Sequence, residues 1–203
     1  MMPDYHFTEK DFKVFDIEGL EPRMNALIEN IRPKLENLGS HFSEYLTELT
    51  GEEQFAHVAK HARRKTNPPD DTWVSFSTNP RGYKMMPHFQ IGLFGDHAFC
   101  MYGVIYESPD KKAAADKWLD DFGIFRDFPQ SYEVSLDHMK PKKTPLADMS
   151  DEDLEAGLVR LKNVKKGEFL VGKVYRPDDE AFESDEAFIK DLETVMDRLV
   201  RLY

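Results

Sequence analysis

The sequence is poor in cysteine, with Cys100 alone among 203 residues. A single thiol excludes an internal disulfide, and a chain of this length can bury a sufficient hydrophobic core without one. Cys100 lies within the apolar run AFCMYGVIY, which favours a buried structural thiol over a reactive one. Because cysteine-poor chains are typical of reducing compartments, we expect the protein to act in the cytoplasm.

Long apolar segments are also lacking. The longest uninterrupted apolar run covers residues 98–106, whereas a membrane helix needs about 20 residues. The N-terminal segment MMPDYHFTEKDF has neither the basic head nor the apolar stretch of a signal peptide. The sequence therefore predicts no membrane association.

The signature motifs of several large enzyme classes are absent. The chain contains no P-loop, Rossmann glycine motif, HExxH, GxSxG or CxxC. No serine or cysteine is marked as a nucleophile by its context. The sequence therefore assigns no cofactor, and it leaves open whether the protein is an enzyme.

Positive charge is scarce overall and is concentrated in one region. The net charge is −11, which disfavours indiscriminate binding to nucleic acid or anionic lipid. Residues 55–90, however, hold six basic and two acidic side chains, a net +4, so the rest of the chain carries −15. This asymmetry indicates a local basic patch, for which a simple solvated face is the alternative interpretation.

Helical periodicity extends over residues 20–49, where apolar side chains recur every three or four positions. Pro33 lies inside this stretch and should kink the helix or divide it in two. N-terminal capping residues predict four further helices. These caps are Thr8 with Asp11, Ser108 followed by Pro109, Ser150 with Asp153, and Ser184.

Short β-rich segments bounded by turn residues predict the strands. These segments are 55–63, 73–78, 88–94, 97–107, 133–138 and 168–175. Gly95-Asp96 predicts a two-residue hairpin turn. The order of elements fits a single α+β domain of residues 1–203, with a mainly antiparallel sheet of about five or six strands covered by helices. A doubly wound nucleotide fold is disfavoured, since the strongest strand pair is a hairpin.

The basic region carries guanidinium groups beside two aromatic residues, Trp73 and Tyr83. Arginine suits bidentate binding of phosphate or carboxylate, and aromatic rings suit stacking on bases. If the strands form a meander, Arg63-Arg64 and the Arg81/Lys84 pair lie at opposite ends of the middle strand, roughly 20 Å apart. Such a strip fits a polymer or an acidic protein better than a small metabolite.

The predicted hairpin has one apolar face and one polar face. The polar face combines His88 and Gln90 with Gly92 and Gly103. Missing side chains on a sheet leave room for a ligand or for a closely packed helix, and helix packing is the commoner use.

Three segments carry histidines that could bind a metal ion or an anion. His57 and His61 share a face of their segment and could begin a metal site, with His88 or the Asp137-His138 pair completing it. Ordinary surface or core histidines explain the same spacing, so no metal ligand is predicted. Residues His138 and Lys140, in LDHMKPKK, instead extend the candidate anion-binding set.

Four segments, in order, carry a family resemblance: HVAKHARRKTNPPDDTWVSF, RGYKMMPHFQIGLF, LDHMKP and NVKKGEFLVG. They resemble the YktB family of uncharacterised cytosolic proteins from Bacillus-type bacteria. The resemblance covers nearly the whole chain and implies a single-domain α+β fold. It implies no activity, and it transfers no functional residue.

Three hypotheses follow from the sequence. The first is a cytoplasmic binding module for an anionic ligand, a phosphate-bearing metabolite or nucleic acid, that uses region 57–90 with His138 and Lys140. The second is a hydrolase or transferase acting on a phosphorylated or carboxylated small molecule, with histidine acid/base groups. The third is a protein-interaction module that uses the acidic C-terminal helix, since residues 178–203 hold nine acids and three bases.

Overall fold

A computed structural model describes residues 4–203. Within these residues seven strands form one sheet in the order β1-β2-β3-β4-β7-β5-β6, with every neighbouring pair antiparallel. The strands are β1 (Phe55–Val58), β2 (Asp71–Ser77), β3 (His88–Phe94), β4 (Ala98–Val104), β5 (Glu133–Ser135), β6 (Thr144–Pro145) and β7 (Phe169–Tyr175). The α+β class and the antiparallel sheet are confirmed, with seven strands instead of five or six. Residues 1–3 of the predicted domain lie outside the described residues.

Three helices precede the first four strands, and four helices are interspersed with the last three strands. They are α1 (Glu9–Lys13), α2 (Leu20–Ala26), α3 (Arg32–Thr50), α4 (Lys111–Asp120), α5 (Ile124–Asp127), α6 (Asp151–Asn163) and α7 (Asp185–Leu199). Within residues 4–203 no helix is long and apolar enough to cross a membrane.

Three of the predicted helix caps are confirmed. Thr8 with Asp11 and Ser150 with Asp153 form capping boxes, and the Ser184 side chain accepts a hydrogen bond from the amide of Ala187. The prediction for Ser108 was wrong, because α4 begins at Lys111. The Ser108 hydroxyl instead donates to the Met85 carbonyl and accepts from the Asp110 amide, which places it in the preceding turn.

The long N-terminal helix is divided at Pro33, as the sequence predicted. A single π turn, Leu27–Ile31, joins α2 to α3 immediately before the proline. Pro33 has no N–H to donate to the carbonyl of Glu29, four residues earlier, and its ring would clash there. A widened turn accommodates both effects without ending the helix.

The hairpin of β3 and β4 has the predicted register. His88 pairs with Gly103, Gln90 with Met101 and Gly92 with Phe99. The residues on the apolar face are fully buried, among them Phe89, Ile91 and Cys100 at 0% exposure. Local alternation and the Gly95-Asp96 turn were sufficient to specify this pairing.

Three predicted strands are clearly shorter than the sequence indicated, and one of them is β4, which covers Ala98–Val104 instead of 97–107. Strand β1 ends at Val58 instead of residue 63, since the chain then turns through His61, whose φ of 52° is left-handed. Strand β5 ends at Ser135 instead of residue 138, because the Ser135 hydroxyl bonds to the Asp137 carbonyl in a turn. The polar residues that follow β1 and β5 therefore lie in loops.

The helices pack on one face of the sheet and contribute to the main hydrophobic core. The opposite face carries a smaller apolar cluster that includes Phe94, Phe99 and Met101, and no helical residue of 4–203 belongs to it. Loops 78–87 and 136–143 cover this face through Tyr83 and Lys143. Helices therefore cover one face only, and we call the loop-covered side the polar face.

Candidate functional site

The polar face is defined by side chains that alternate with the core residues of the central strands. Along the strands, Ser75 of β2 pairs with Gln90 of β3, and Ser135 of β5 pairs with Leu170 of β7. Ser75, His88, Gln90 and Ser135 are all buried. The hydroxyl of Ser75 has no hydrogen-bond partner within residues 4–203. Buried polar groups in such numbers on one face are typical of a functional site.

Five sequence-predicted residues form one aromatic cluster at an end of the polar face. The Trp73 indole donates to the Tyr83 hydroxyl at 3.0 Å. The Tyr83 ring lies 4.9 Å from the ring of His88 and 6.0 Å from that of His57, while His61 meets Trp73 edge-on at 5.5 Å. The structure therefore brings these residues together. Trp73 and Tyr83 are half-buried, and their polar groups bond to each other.

His88 and Gln90 form a fixed pair beneath this cluster. The His88 Nδ1–H donates to the Met86 carbonyl at 2.8 Å. Burial lowers the pKa of His88 to about 4, so the ring is neutral and its Nε2 accepts from the Gln90 amide at 2.6 Å. His88 is thus a structural histidine that orients Gln90.

His138 lies in loop 136–143 and is held by Glu168, which the sequence did not identify. The amide and Nδ1 of His138 donate to the Glu168 carboxylate at 2.7–2.9 Å, and the Tyr106 amide donates to it as well. Burial by itself would lower the pKa of His138, but the hydrogen bond and negative charge of Glu168 outweigh it and raise that pKa. Glu168 therefore favours the protonated form of His138, and the Nε2 of the ring has no hydrogen-bond partner within residues 4–203.

Lys143 is the second cation on this face and was also missed. Its ammonium donates to His97 Nε2 at 2.8 Å and to the Pro141 carbonyl at 3.2 Å. It lies 4.7 Å above the centre of the Phe94 ring and 5.1 Å above that of Phe99. Burial lowers the pKa of Lys143 to about 8. Within residues 4–203 no carboxylate lies within 4.0 Å of this ammonium.

A small cavity separates these cations from the sheet. It is lined by Gln90, Phe94, Phe99, Met101, Ser135, His138, Lys143 and Leu170. The cavity has a volume of about 10 Å³ for the centre of a water molecule. It therefore has room for about one water molecule. In this conformation a metabolite does not fit beneath the loops.

Asp71, at the start of β2, is a third residue that the sequence did not indicate. It is 8% exposed, and its carboxylate has no hydrogen bond or ion pair within residues 4–203. Burial raises the pKa of Asp71 to about 7, against the opposing charges of His138, Arg64 and Lys143. A buried carboxyl that titrates near neutrality is frequent at functional sites.

The glycines of the polar face do not create space for a ligand or for a helix. A Cβ on Gly92 would lie 2.6 Å from the Thr72 carbonyl and 2.7 Å from the Phe99 ring, and a Cβ on Gly103 would lie 2.1 Å from the Phe169 carbonyl. The expectation of room beside these glycines was therefore wrong. They permit neighbouring strands and the Phe99 ring to approach closely.

Three loops that border or cover the polar face are strongly basic, and we call them the basic loops: 59–70, 78–87 and 136–143. Together they hold nine lysines and arginines and two aspartates, a net +7, so the remaining residues hold 18 bases and 36 acids, a net −18. The nine cations are Lys60, Arg63, Arg64, Lys65, Arg81, Lys84, Lys140, Lys142 and Lys143. Folding therefore places nine of the 27 lysines and arginines in loops that border or cover the polar face.

The predicted rim cations differ in their pairing. Lys84 contacts Glu107 at 2.9 Å, and Lys140 lies 3.7 Å from Asp137. Arg64 donates to the carbonyls of Asn67 and Pro68, and within residues 4–203 neither it nor Arg63 or Arg81 has a carboxylate within 4.0 Å. The arginines, unlike the histidines, stay exposed at the two ends of β2.

The histidines considered for a metal site do not share one. His57 Nε2 bonds to the Asn79 carbonyl, and His61 Nε2 lies near the Thr72 hydroxyl. A different group, Asp137, His138 and Glu168, offers ligand atoms within 4.8 Å of one another. His138 Nδ1 and Glu168 already bond to each other, so a metal ion would have to displace that contact. Asp4, His6 and Asp185 form a second such group near the N-terminus.

The acidic C-terminal helix uses several of its acids within the protein. Asp185 bonds to His6, Asp191 to Lys173 and Tyr175, and Asp197 to the Tyr45 hydroxyl. These contacts fasten α7 to the N-terminal segment, to β7 and to α3. The helix therefore has a structural role that accounts for part of its acidity.

Fold and site together define an α+β protein in which helices cover one sheet face and basic loops cover the other. The chain belongs to the family described as a domain of unknown function, DUF1054, whose family model matches residues 7–203. It is 54% identical over 202 residues to a UPF0637 protein of Macrococcus caseolyticus, with 100% of both chains covered. It is 51% identical to a UPF0637 protein of Staphylococcus haemolyticus, with 100% of both covered, and 50% identical to one of Staphylococcus aureus, with 100% of this chain and 99% of that protein covered. The resemblance to a family of uncharacterised bacterial proteins is thereby confirmed.

Proposed function

We propose that the protein is a cytoplasmic binding module that takes a phosphate-bearing polyanion, nucleic acid foremost, along its basic loops. The observation that carries the proposal is the charge separation, with +7 on the three basic loops and −18 on the rest of the chain. A charge field of this kind attracts phosphate groups to one side of a protein that otherwise repels them. The cytoplasmic location rests on the lone, buried Cys100 thiol.

The size of the site favours a polymer over a metabolite. The cavity on the polar face has room for about one water molecule, so a ligand that meets this conformation lies on the loop surfaces. Arg63 and Arg64 stand near one end of β2, and Arg81 stands beyond the other end. Seven residues of strand separate them by roughly 20 Å, which is the span of several nucleotides.

Fluorescence anisotropy with a labelled single-stranded oligonucleotide tests the proposal. We expect the logarithm of affinity to fall linearly with the logarithm of salt concentration, by about 0.7 for each phosphate contacted. Arg64→Glu and Arg81→Glu should each weaken binding several-fold and leave the melting temperature nearly unchanged, because exposed charges contribute little to stability. Lys84→Glu is less informative, since Lys84 pairs with Glu107.

Lys112→Glu is the matched control, because it makes the same charge change on exposed residue 112 of α4, outside the basic loops. It should leave the affinity within about twofold of the original protein, as long-range effects are screened beyond about 10 Å. Equal effects of Arg64→Glu and Lys112→Glu, or affinity independent of salt, would contradict the proposal.

A hydrolase or transferase acting on a phosphorylated or carboxylated small molecule is the second candidate. The unpartnered, buried carboxyl of Asp71 favours it, because a general base works best with a pKa near the operating pH. Carbon-13 NMR of aspartate-labelled protein should show one carboxyl titrating near pH 7, and Asp71→Asn should remove that signal. A signal that titrates near the ordinary pKa of aspartate would end this candidate.

The interaction of a protein partner with the acidic C-terminal helix remains a prediction that no observation favours.

A further inference from the structure

We propose that the cavity beneath loop 136–143 is a binding site for the carboxylate of a small organic acid. The cavity lies between the sheet and His138 and Lys143. Of the nine cations of the basic loops, Lys143 lines the cavity and the other eight do not. The inference therefore goes beyond the proposed function and does not depend on it.

Lys143 supplies the first donor. Of its three N–H groups, one bonds to His97 Nε2 and one to the Pro141 carbonyl, so the third remains for a ligand. The contrast with Lys34 is informative, because that buried ammonium contacts the Asp11 carboxylate at 2.7 Å, whereas half-buried Lys143 has no carboxylate of residues 4–203 within 4.0 Å. A partly desolvated ammonium without a close counter-charge is costly, and an anionic ligand offsets that cost.

His138 supplies the second donor. Glu168 occupies its Nδ1 and raises the pKa of the ring. In the protonated ring Nε2–H is a donor, and it has no acceptor within residues 4–203, so an anion bound there favours protonation. Because the Glu168 carboxylate also accepts from the amides of His138 and Tyr106, it is held in place and compensates the charge of the ring. The ring itself stacks 6.5 Å from that of Tyr106, which fixes its orientation.

The cavity wall selects the class of anion. The Lys143 ammonium and the protonated His138 ring, with the Gln90 amide beside them, match the two oxygens of a carboxylate. A phosphate has more oxygens and more negative charge than these donors can satisfy. The remaining wall is apolar, formed by Phe94, Phe99, Met101 and Leu170, and it accommodates a short hydrocarbon tail. Since the space now holds about one water molecule, loop 136–143 must shift to admit the tail.

Isothermal titration calorimetry and melting temperatures test the site with acetate, butyrate and benzoate, each compared with its neutral amide. We expect the carboxylates to bind and to raise the melting temperature, and the amides to do neither. Lys143→Met keeps an apolar stem over the Phe94 and Phe99 rings but removes the charge, and it should weaken carboxylate binding at least about tenfold. Lys142→Met, at the exposed neighbouring position, is the control and should bind as the original protein does.

Three results would overturn the proposal: no carboxylate binds, Lys143→Met and Lys142→Met bind equally well, or inorganic phosphate binds at Lys143 more tightly than the carboxylates do. If Lys143→Met proves unstable, nitrogen-15 NMR of labelled histidines in the unmodified protein gives an independent readout. The resonances of His138 should shift on addition of butyrate and not on addition of butyramide. Unshifted His138 resonances in butyrate would also refute the site. Arg64→Glu should leave carboxylate binding unchanged, so this site and the polyanion surface fail or succeed separately.

Discussion

Asp71 begins β2 with a carboxyl group that is buried and unpartnered within residues 4–203. Its neighbour in sequence, Asp70, has an 83% exposed side chain and contacts Arg23. Two adjacent aspartates thus occupy opposite environments, and only the three-dimensional structure distinguishes them. A buried acid that weakens the fold is usually retained for a functional reason.

Asp71→Asn should stabilise the protein at high pH. The folded protein keeps the Asp71 proton up to about pH 7, whereas the unfolded chain releases it near 3.8. Because the folded state then binds more protons than the unfolded state, this carboxyl lowers the free energy of unfolding as pH rises between those values. Urea denaturation should show the variant to be more stable than the original protein by roughly 1–4 kcal/mol at about pH 8 and equal to it near pH 4.

Asp70→Asn is the control for this measurement and should show no such pH-dependent gain, because its side chain is exposed. A variant Asp71→Asn that is less stable than the original protein at both pH values would show that the ionised carboxylate has a favourable partner.

At the scale of elements, α3 packs closely against the sheet at Gly39. A Cβ placed there would lie 3.1 Å from the Ala56 Cβ in β1 and 3.4 Å from a Val74 methyl in β2. The absence of a side chain lets the helix lie directly on the strands that lead into loop 59–70. This packing connects the helical layer to the end of the polar face.

Gly39→Leu should therefore destabilise the fold by about 1–3 kcal/mol, since the added side chain has no space between helix and sheet. Ser40→Leu changes the exposed neighbouring position of the same helix and should alter the free energy of unfolding by less than about 0.5 kcal/mol. Urea midpoints compare the two. Equal stabilities would mean that α3 shifts on the sheet at little cost.

At the scale of the whole molecule, folding adds cations from a distant segment to the basic region of the sequence. Region 55–90 accounts for +4, and loop 136–143, distant in sequence, adds Lys140, Lys142 and Lys143 to the same side. On the helical side, several acids of α7 bind residues in the rest of the protein.

The protein should consequently bind a heparin column at low ionic strength despite a sequence pI of about 5.1. It should elute at moderate salt, because the exposed charges are screened over about 10 Å at 0.1 M. Combining Arg63→Glu with Arg64→Glu should shift elution to lower salt, and Lys112→Glu should not. Passage through the column without retention would show that the net charge outweighs the local field.

The sequence by itself determined the features that depend on neighbouring residues. The β3–β4 hairpin follows from strict alternation and a Gly-Asp turn, and the caps at Thr8, Ser150 and Ser184 follow from side chains that bond within three residues. The histidines and aromatic residues of region 57–90 were also identified, because they lie on adjacent strands and the loops that join them. In each case the physical cause is local.

Only the tertiary structure decided which other residues complete the site. Strand β7 inserts between β4 and β5, so that Glu168, at its start, meets His138 from the loop after β5. The same arrangement seats Lys143 over the Phe94 and Phe99 rings of the hairpin. Strand order and desolvation depend on contacts between residues far apart in the chain, and no local pattern encodes them. The sequence therefore specified the polar strands, while the partners and protonation of Asp71, His138 and Lys143 were set by packing.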